Sequence, residues 1–255
     1  MLGASPARSS ASVRPLRRRS SQGFFVVIAV ALLGINLIGF APTYFLRAWF
    51  DGSELPFRTH LHALLFTSWF VLLVVQAGLV SRGHLSVHRR LGIAGAFLAA
   101  AMVLSGLSIL YYGVLEFREA GGSVHRASQF LWGNLALLFS FAGFVCAAIV
   151  LRHRPEAHKR LMLLASLAMI PQSLGRIGTF GPLQIGTSPA GSEALYALGG
   201  LTLLLSILLV YDIAVRRRPH AAVLLGSPLL LGSIVVAGLV IPATSFGQSL
   251  VRLVY

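Results

Sequence analysis

The residues of this chain best able to hold a metal are its eight histidines, because it carries a single cysteine. Two of them recur in matched phrases. Residues 86–91 read SVHRRL and residues 156–161 read EAHKRL, so His88 and His158 each precede two bases and a leucine at the start of an apolar run. Two more repeat upstream, His62 with Trp69 and His125 with Trp132. Seven residues make two helical turns, so each His–Trp pair shares a helix face. The pattern reads as two copies of one hairpin, each with an outer and an inner histidine. Below His88, steps of three and four give Leu91, Gly92, Gly95, Ala96, Ala99 and Met102; below His158 they give Leu161, Met162, Ala165, Ser166 and Met169. Small side chains under a histidine leave room for a flat macrocycle. They equally let two helices touch, the common use of small-xxx-small spacing in membranes.

The elements that must position these groups are membrane helices. The chain is 56% hydrophobic and 11% charged, with a mean hydropathy of +0.81, whereas soluble domains carry about 25% charged residues. Seven apolar stretches reach the ~20 residues a hydrocarbon core requires: Gly23 to Tyr44, His60 to Val80, Leu91 to Gly113, Gln129 to Leu151, Leu161 to Phe180, Leu195 to Val215 and Ala222 to Thr244. Backbone groups in lipid must be satisfied within the chain, so such runs imply helices. The expected fold is all-α, a polytopic transmembrane bundle of about seven helices. Residues 1–22 read as a disordered basic cytoplasmic tail, 23–244 as the transmembrane domain with a histidine-bearing four-helix core at 60–180, and 245–255 as a short periplasmic tail.

Orientation follows from the bases. With the amino terminus in the cytoplasm, that side holds fifteen of the 21 Lys and Arg residues, as the positive-inside rule expects. The net charge of +14 sits in short loops at membrane boundaries, which implies anionic lipid headgroups rather than nucleic acid as the partner. No small-x-small cleavage site follows the first apolar run, so that run reads as a retained helix. Cys146 reads as a small apolar packing residue.

The arrangement of His62, His88, His125 and His158 resembles that of the di-haem b-type cytochromes of the ascorbate-dependent or ferric reductase type, over about 120 central residues. The resemblance implies haem b held by His62 with His125 and by His88 with His158, and electron transfer from a quinol or a small anionic reductant. Such ligation needs a neutral nitrogen on each side of the iron, each ring oriented through its other nitrogen. Arg89, Arg90, Lys159 and Arg160 would then face haem propionates. The phrases HALLFTSWFVLLVVQ, HRRLGIAGAFLA and RPEAHKRLMLLASLAMIP also resemble a family of uncharacterised bacterial inner-membrane proteins, whose pattern has histidines matching His62, His88 and His158. That likeness implies a multi-pass protein of the bacterial inner membrane.

Other chemistry stays open at this point. His60 and His62 point about 200° apart on a helix, which disfavours a chelate between them. Arg176 is a base inside the fifth stretch, with Glu116 or Glu119 as expected partner, or else snorkelling to the far headgroups. Pro171 should bend that helix. Asn36, Gln76 and Asn134 should hydrogen-bond between helices, and Asp212 with Arg216 reads as a solvated i,i+4 pair. No phosphate loop, nucleophile elbow or HExxH is present. A structural or complex-assembly role and small-molecule transport remain the alternatives to electron transfer.

Overall fold

The computed structural model describes residues 13–50, 52, 54–181 and 189–253. Among these every regular element is helical. Seven helices are long and apolar enough to cross a membrane: Gly23–Phe45, Phe57–Ser81, Leu85–Glu119, Val124–Val150, Pro155–Phe180, Gly191–Arg216 and Ala221–Ala243. The first span is α1 (Val13–Phe40) closed by a π-helical turn at Ala41–Phe45, followed by the short α2 (Arg47–Phe50); the next three are α3 (Phe57–Ser81), α4 (Leu85–Glu119) and α5 (Val124–Val150). Span five is divided into α6 (Pro155–Met169) and α7 (Pro171–Phe180). Then come α8 (Pro189–Arg216), α9 (Ala221–Val235), a second π-helical turn at Val236–Val240, α10 (Ile241–Ala243) and α11 (Ser245–Arg252).

Span five is the hub. It packs on spans one, four, six and seven, is tied to span two by a hydrogen bond from Trp69 Nε1 to Ser166 Oγ (3.0 Å), and meets span three through the rings of His88 and His158. The other six form a ring around it in the order one, two, three, four, seven, six, closed by the stacked rings of Phe24 and Tyr211 at 3.7 Å. Its apolar window is 72% buried, against 33% or less for the other six. A helix facing protein on all sides has no lipid to satisfy, so it can carry Ser166, Gln172, Ser173 and Arg176, which a lipid-facing span would expel. Spans two to five are neighbours as the sequence implies, but the organising element is this one helix rather than a four-helix core.

The break after Met169 has the expected cause. Pro171 has no N–H, so the Leu167 carbonyl accepts instead from Ile170 N at 3.2 Å, and α7 restarts with Leu174 N donating to the Ile170 carbonyl at 3.0 Å. Span five packs tightly on span one because Gly39 brings α1 onto the backbone of Ser173.

Both ends of the chain depart from the sequence reading. Helix α1 begins at Val13, within the expected disordered tail; residues 1–12, Arg8 among them, lie outside the described residues. The expected periplasmic tail is largely α11, docked on α5. Thr244 caps it by accepting from Gly247 N at 3.1 Å, and Val251 is buried with Val114 and Ala127. An eight-residue helix has too little local stability to stand alone, and this apolar contact holds it.

Candidate functional site: a histidine pair at the basic face

The structure brings His88 and His158 together. Their ring centres are 6.3 Å apart with planes at 85°, and both side chains are half-buried. Helices α4 and α6 share no extended backbone contact, so the imidazoles meet across the space between them. The pair lies at the same end of the bundle as the connections at 82–84, 151–154 and 217–220, here called the basic face.

Each ring is held through Nδ1. His158 Nδ1 lies 2.9 Å from the Ala148 carbonyl near the end of α5, an acceptor that fixes the proton on Nδ1 and leaves Nε2 as a lone-pair donor. His88 Nδ1 lies 2.6 Å from the side-chain amide of Gln76 on α3. In one amide orientation Nε2 of Gln76 donates to this nitrogen while Oε1 accepts from Gly92 N at 3.1 Å. Only this orientation satisfies both ends of the amide, and it makes Nδ1 of His88 an acceptor, which in a neutral ring places the proton on Nε2. Gln76 therefore does hydrogen-bond between helices, and its partner is a ligand candidate.

The small residues beneath the pair do not line an open slot. Gly95 is buried against Leu72, where a Cβ would stand 3.1 Å from Cδ2. Ala165 and Ser166 are fully buried, and Ser166 Oγ is occupied by Trp69. These strips serve helix packing, and only Gly92, next to Gln76, stays open.

The four bases beside the pair divide. Arg89 and Arg90 are exposed. Lys159 bonds Glu156 at 2.7 Å and covers the Phe25 ring at 4.7 Å. Arg160 is 1% exposed and forms a buried ion pair with Asp212 through Nε (2.9 and 3.0 Å) and Nη2. Its Nη1 donates to the Glu156 carboxylate (2.7 Å) and carbonyl (2.9 Å). Asp212, fully buried, also accepts from His220 N at 3.0 Å. The expected Asp212–Arg216 solvated pair is thus replaced by Arg160–Asp212 across spans five and six, with Arg216 on Glu156 at 3.2 Å. The reason is the ring: span five at its centre presents a cation that needs a buried counter-charge, and Asp212 faces it. Arg160 and Lys159 are engaged here, which leaves Arg89 and Arg90 as the bases open to an anion at the histidine pair.

His220 begins α9, where its Nδ1 accepts from Ala222 N at 3.0 Å. Burial, joined by the charges of Arg160 and Arg216, holds its pKa below the ordinary imidazole value.

The outer histidines face different neighbours. His62 stacks on Phe66 with ring centres 4.0 Å apart, and its Nδ1 lies 3.2 Å from Ser105 Oγ on α4. His125 Nδ1 lies 3.2 Å from the Pro242 carbonyl, while Ser128 and Trp132 on the same helix both donate to the Gly247 carbonyl at 2.9 Å. The His125–Trp132 face thus receives the end of the chain, whereas His62 and Trp69 look into the ring. Among the described residues no three His, Cys, Asp or Glu side chains converge as a metal site, so His60 and His62 gather no further ligands; His60 instead pairs with Tyr44 at 3.2 Å.

Arg176 also has partners other than those expected. Glu116 is taken by Arg58 at 2.6 Å. The Arg176 guanidinium lies over Phe40 at 4.4 Å and donates to the Gln172 carbonyl at 3.2 Å. Asn134, as expected, bonds between helices, accepting from Gln172 Nε2 at 2.6 Å. Cys146 is exposed on the bundle surface instead of packed. No family model, curated protein or solved structure matches this chain.

Proposed function

We propose that this chain is a bacterial inner-membrane protein that binds one b-type haem through His88 and His158 and exchanges electrons at its basic, cytoplasmic face. The observation that carries the reading is the ring separation of 6.3 Å. Two metal–nitrogen bonds of about 2.0 Å, one to each ring, would need a ring separation of this order. Only two protein ligands are needed, because a porphyrin supplies the rest. The Ala148 carbonyl, which holds the proton on Nδ1 of His158 and leaves Nε2 free to ligate, supports the same reading; His88 would have to exchange its hydrogen bond with Gln76 to do likewise.

Bound iron would supply a one-electron change. His88 and His158 would supply the ligating nitrogens, Leu161 and its neighbours would contribute a shell of low dielectric, and the exposed Arg89 and Arg90 would meet propionates. A basic surface there would draw a quinol's headgroup or a small anionic reductant by charge. One haem is proposed in place of the two that the resemblance implies, since His62 and His125 are engaged on separate neighbours.

Protein expressed with ample haem and purified in detergent should show a low-spin b-type spectrum that sharpens on reduction. His88→Ala and His158→Ala should each abolish it, while the exposed His84→Ala and His153→Ala leave it intact. A wild-type protein without such a spectrum overturns the reading and leaves the pair as a packing contact.

A further inference from the structure

We propose that the half of the bundle away from the basic face holds a second site, an oxyanion receptor built on Arg176, Asn36, Thr43 and Ser173 that takes a carboxylate or phosphate group. It is independent of the haem reading and lies toward the other end of span five.

Arg176 lies four residues before the end of α7 at Phe180, about 6 Å below that end. A charge at such a place is costly unless something answers it. Its guanidinium has five N–H groups, and one of them is spent on its own helix, at the Gln172 carbonyl. Among the described residues it forms no ion pair, unlike Arg58, Lys159, Arg160 and Arg216. Glu193 on α8 packs beside Gly175 and acts on Arg176 through space, without a direct ion pair. Phe40 covers one face of the guanidinium plane and leaves its edge for a ligand.

The surroundings supply unused hydrogen-bonding groups. Asn36 lies one helical turn before Phe40 on span one, and Thr43 follows in the π-helical turn. Because Phe40 touches Arg176, both residues lie within about a turn of that contact along the helix. Asn36 is 3% exposed and its Nδ2 has no partner; the buried Thr43 Oγ1 has none either. One turn before Arg176, Ser173 is fully buried with Oγ unpartnered, against the first span at Gly39. An orphaned buried polar group costs about 1–3 kcal/mol, and native structures hold few of them. Three near one cation that has no direct ion pair form a set of donors with a positive centre. A water molecule would satisfy the hydrogen bonds but supply no anion in contact with the guanidinium, whose counter-charge, Glu193, acts from a distance. An oxyanion satisfies both, accepting from Asn36 Nδ2, the hydroxyls and the guanidinium edge. Arg176 and Thr43 are only half-buried, so the group can be reached from the far face.

The ligand oxygens can belong to a lipid headgroup or to a soluble anion. Wild-type protein in neutral detergent would be heated with sodium phosphate, with sodium acetate, with phosphatidylglycerol or with phosphatidylcholine, at ionic strength matched by sodium chloride. Saturating occupancy should raise the unfolding temperature by about 5–10 °C. A rise with phosphate or acetate identifies a soluble anion, and a rise with phosphatidylglycerol but not phosphatidylcholine identifies a lipid. Arg176→Gln should remove the rise, as should Asn36→Leu, which keeps the test valid if the arginine variant does not survive extraction. Arg218→Gln, exposed at the opposite face, should keep it. The proposal is overturned if no probe raises the unfolding temperature beyond sodium chloride, or if the Arg176 and Asn36 variants respond as the wild type does.

Discussion

Replacing Asp212 with alanine should be among the most damaging single changes in this protein. Asp212 and Arg160 are 0% and 1% exposed, and the carboxylate accepts from Nε, Nη2 and the backbone N–H of His220. Breaking a buried pair by removing one partner costs about 3–5 kcal/mol, chiefly because the surviving charge stays buried. Glu156 continues to bind Nη1 at 2.7 Å, but its side chain is 52% exposed and answers the charge only in part. The lower end, about 3 kcal/mol, is therefore expected. For a chain of this size that corresponds to a fall of roughly 6–12 °C in unfolding temperature, measurable by scanning fluorimetry in detergent. Lys159→Met, which breaks a more exposed pair with Glu156, should cost at most about 1 kcal/mol. The double variant Arg160→Met with Asp212→Leu removes both charges and should recover most of the loss. If Asp212→Ala costs no more than Lys159→Met, or the double variant is as unstable as the single, the pair is not holding spans five and six together.

Gly39→Ala should destabilise by about 1–3 kcal/mol, because the new Cβ meets the Ser173 backbone. Gly34→Ala, with nothing within 4 Å, should be neutral or stabilising by up to about 1 kcal/mol from helix propensity; comparing the two melting temperatures checks whether spans one and five touch at Gly39. His220 caps α9 with a neutral Nδ1 and has a lowered pKa, so the unfolded chain binds its proton more readily than the folded one. Its contribution is present above about 6.5, the unperturbed imidazole value, and is lost as pH falls below it toward the folded pKa. His220→Asn keeps a capping acceptor without that titration, so its melting temperature should fall less than the wild type's between pH 7 and pH 5; identical slopes would show that the cap does not titrate.

The seven spans were legible in the sequence because lipid demands about 20 apolar residues per crossing and charges are confined to the ends. The break at Pro171 was legible for an equally local reason, a missing N–H. The repeated phrase placed His88 and His158 at equal depth, since both stand at the same offset in helices that run in the same direction, and the structure does bring their rings together. What local pattern could not supply was the arrangement of helices around one another. Hydropathy registers that a residue avoids water but not whether lipid or protein surrounds it, so the ring about span five was hidden, although that span is the most polar of the seven and α6 the most continuously buried helix. The ring decided the rest. It turned Asp212 toward Arg160 instead of Arg216, and it set Gln76 on His88. The packing of α10 on α5 gave His125 a partner in the Pro242 carbonyl rather than in His62. Asp212, the lone acid of the apolar stretch Leu195 to Val215, was a signal that a buried cation would be needed; which cation depended on tertiary packing, because the partners lie 52 residues apart and only the packed bundle brings them into contact.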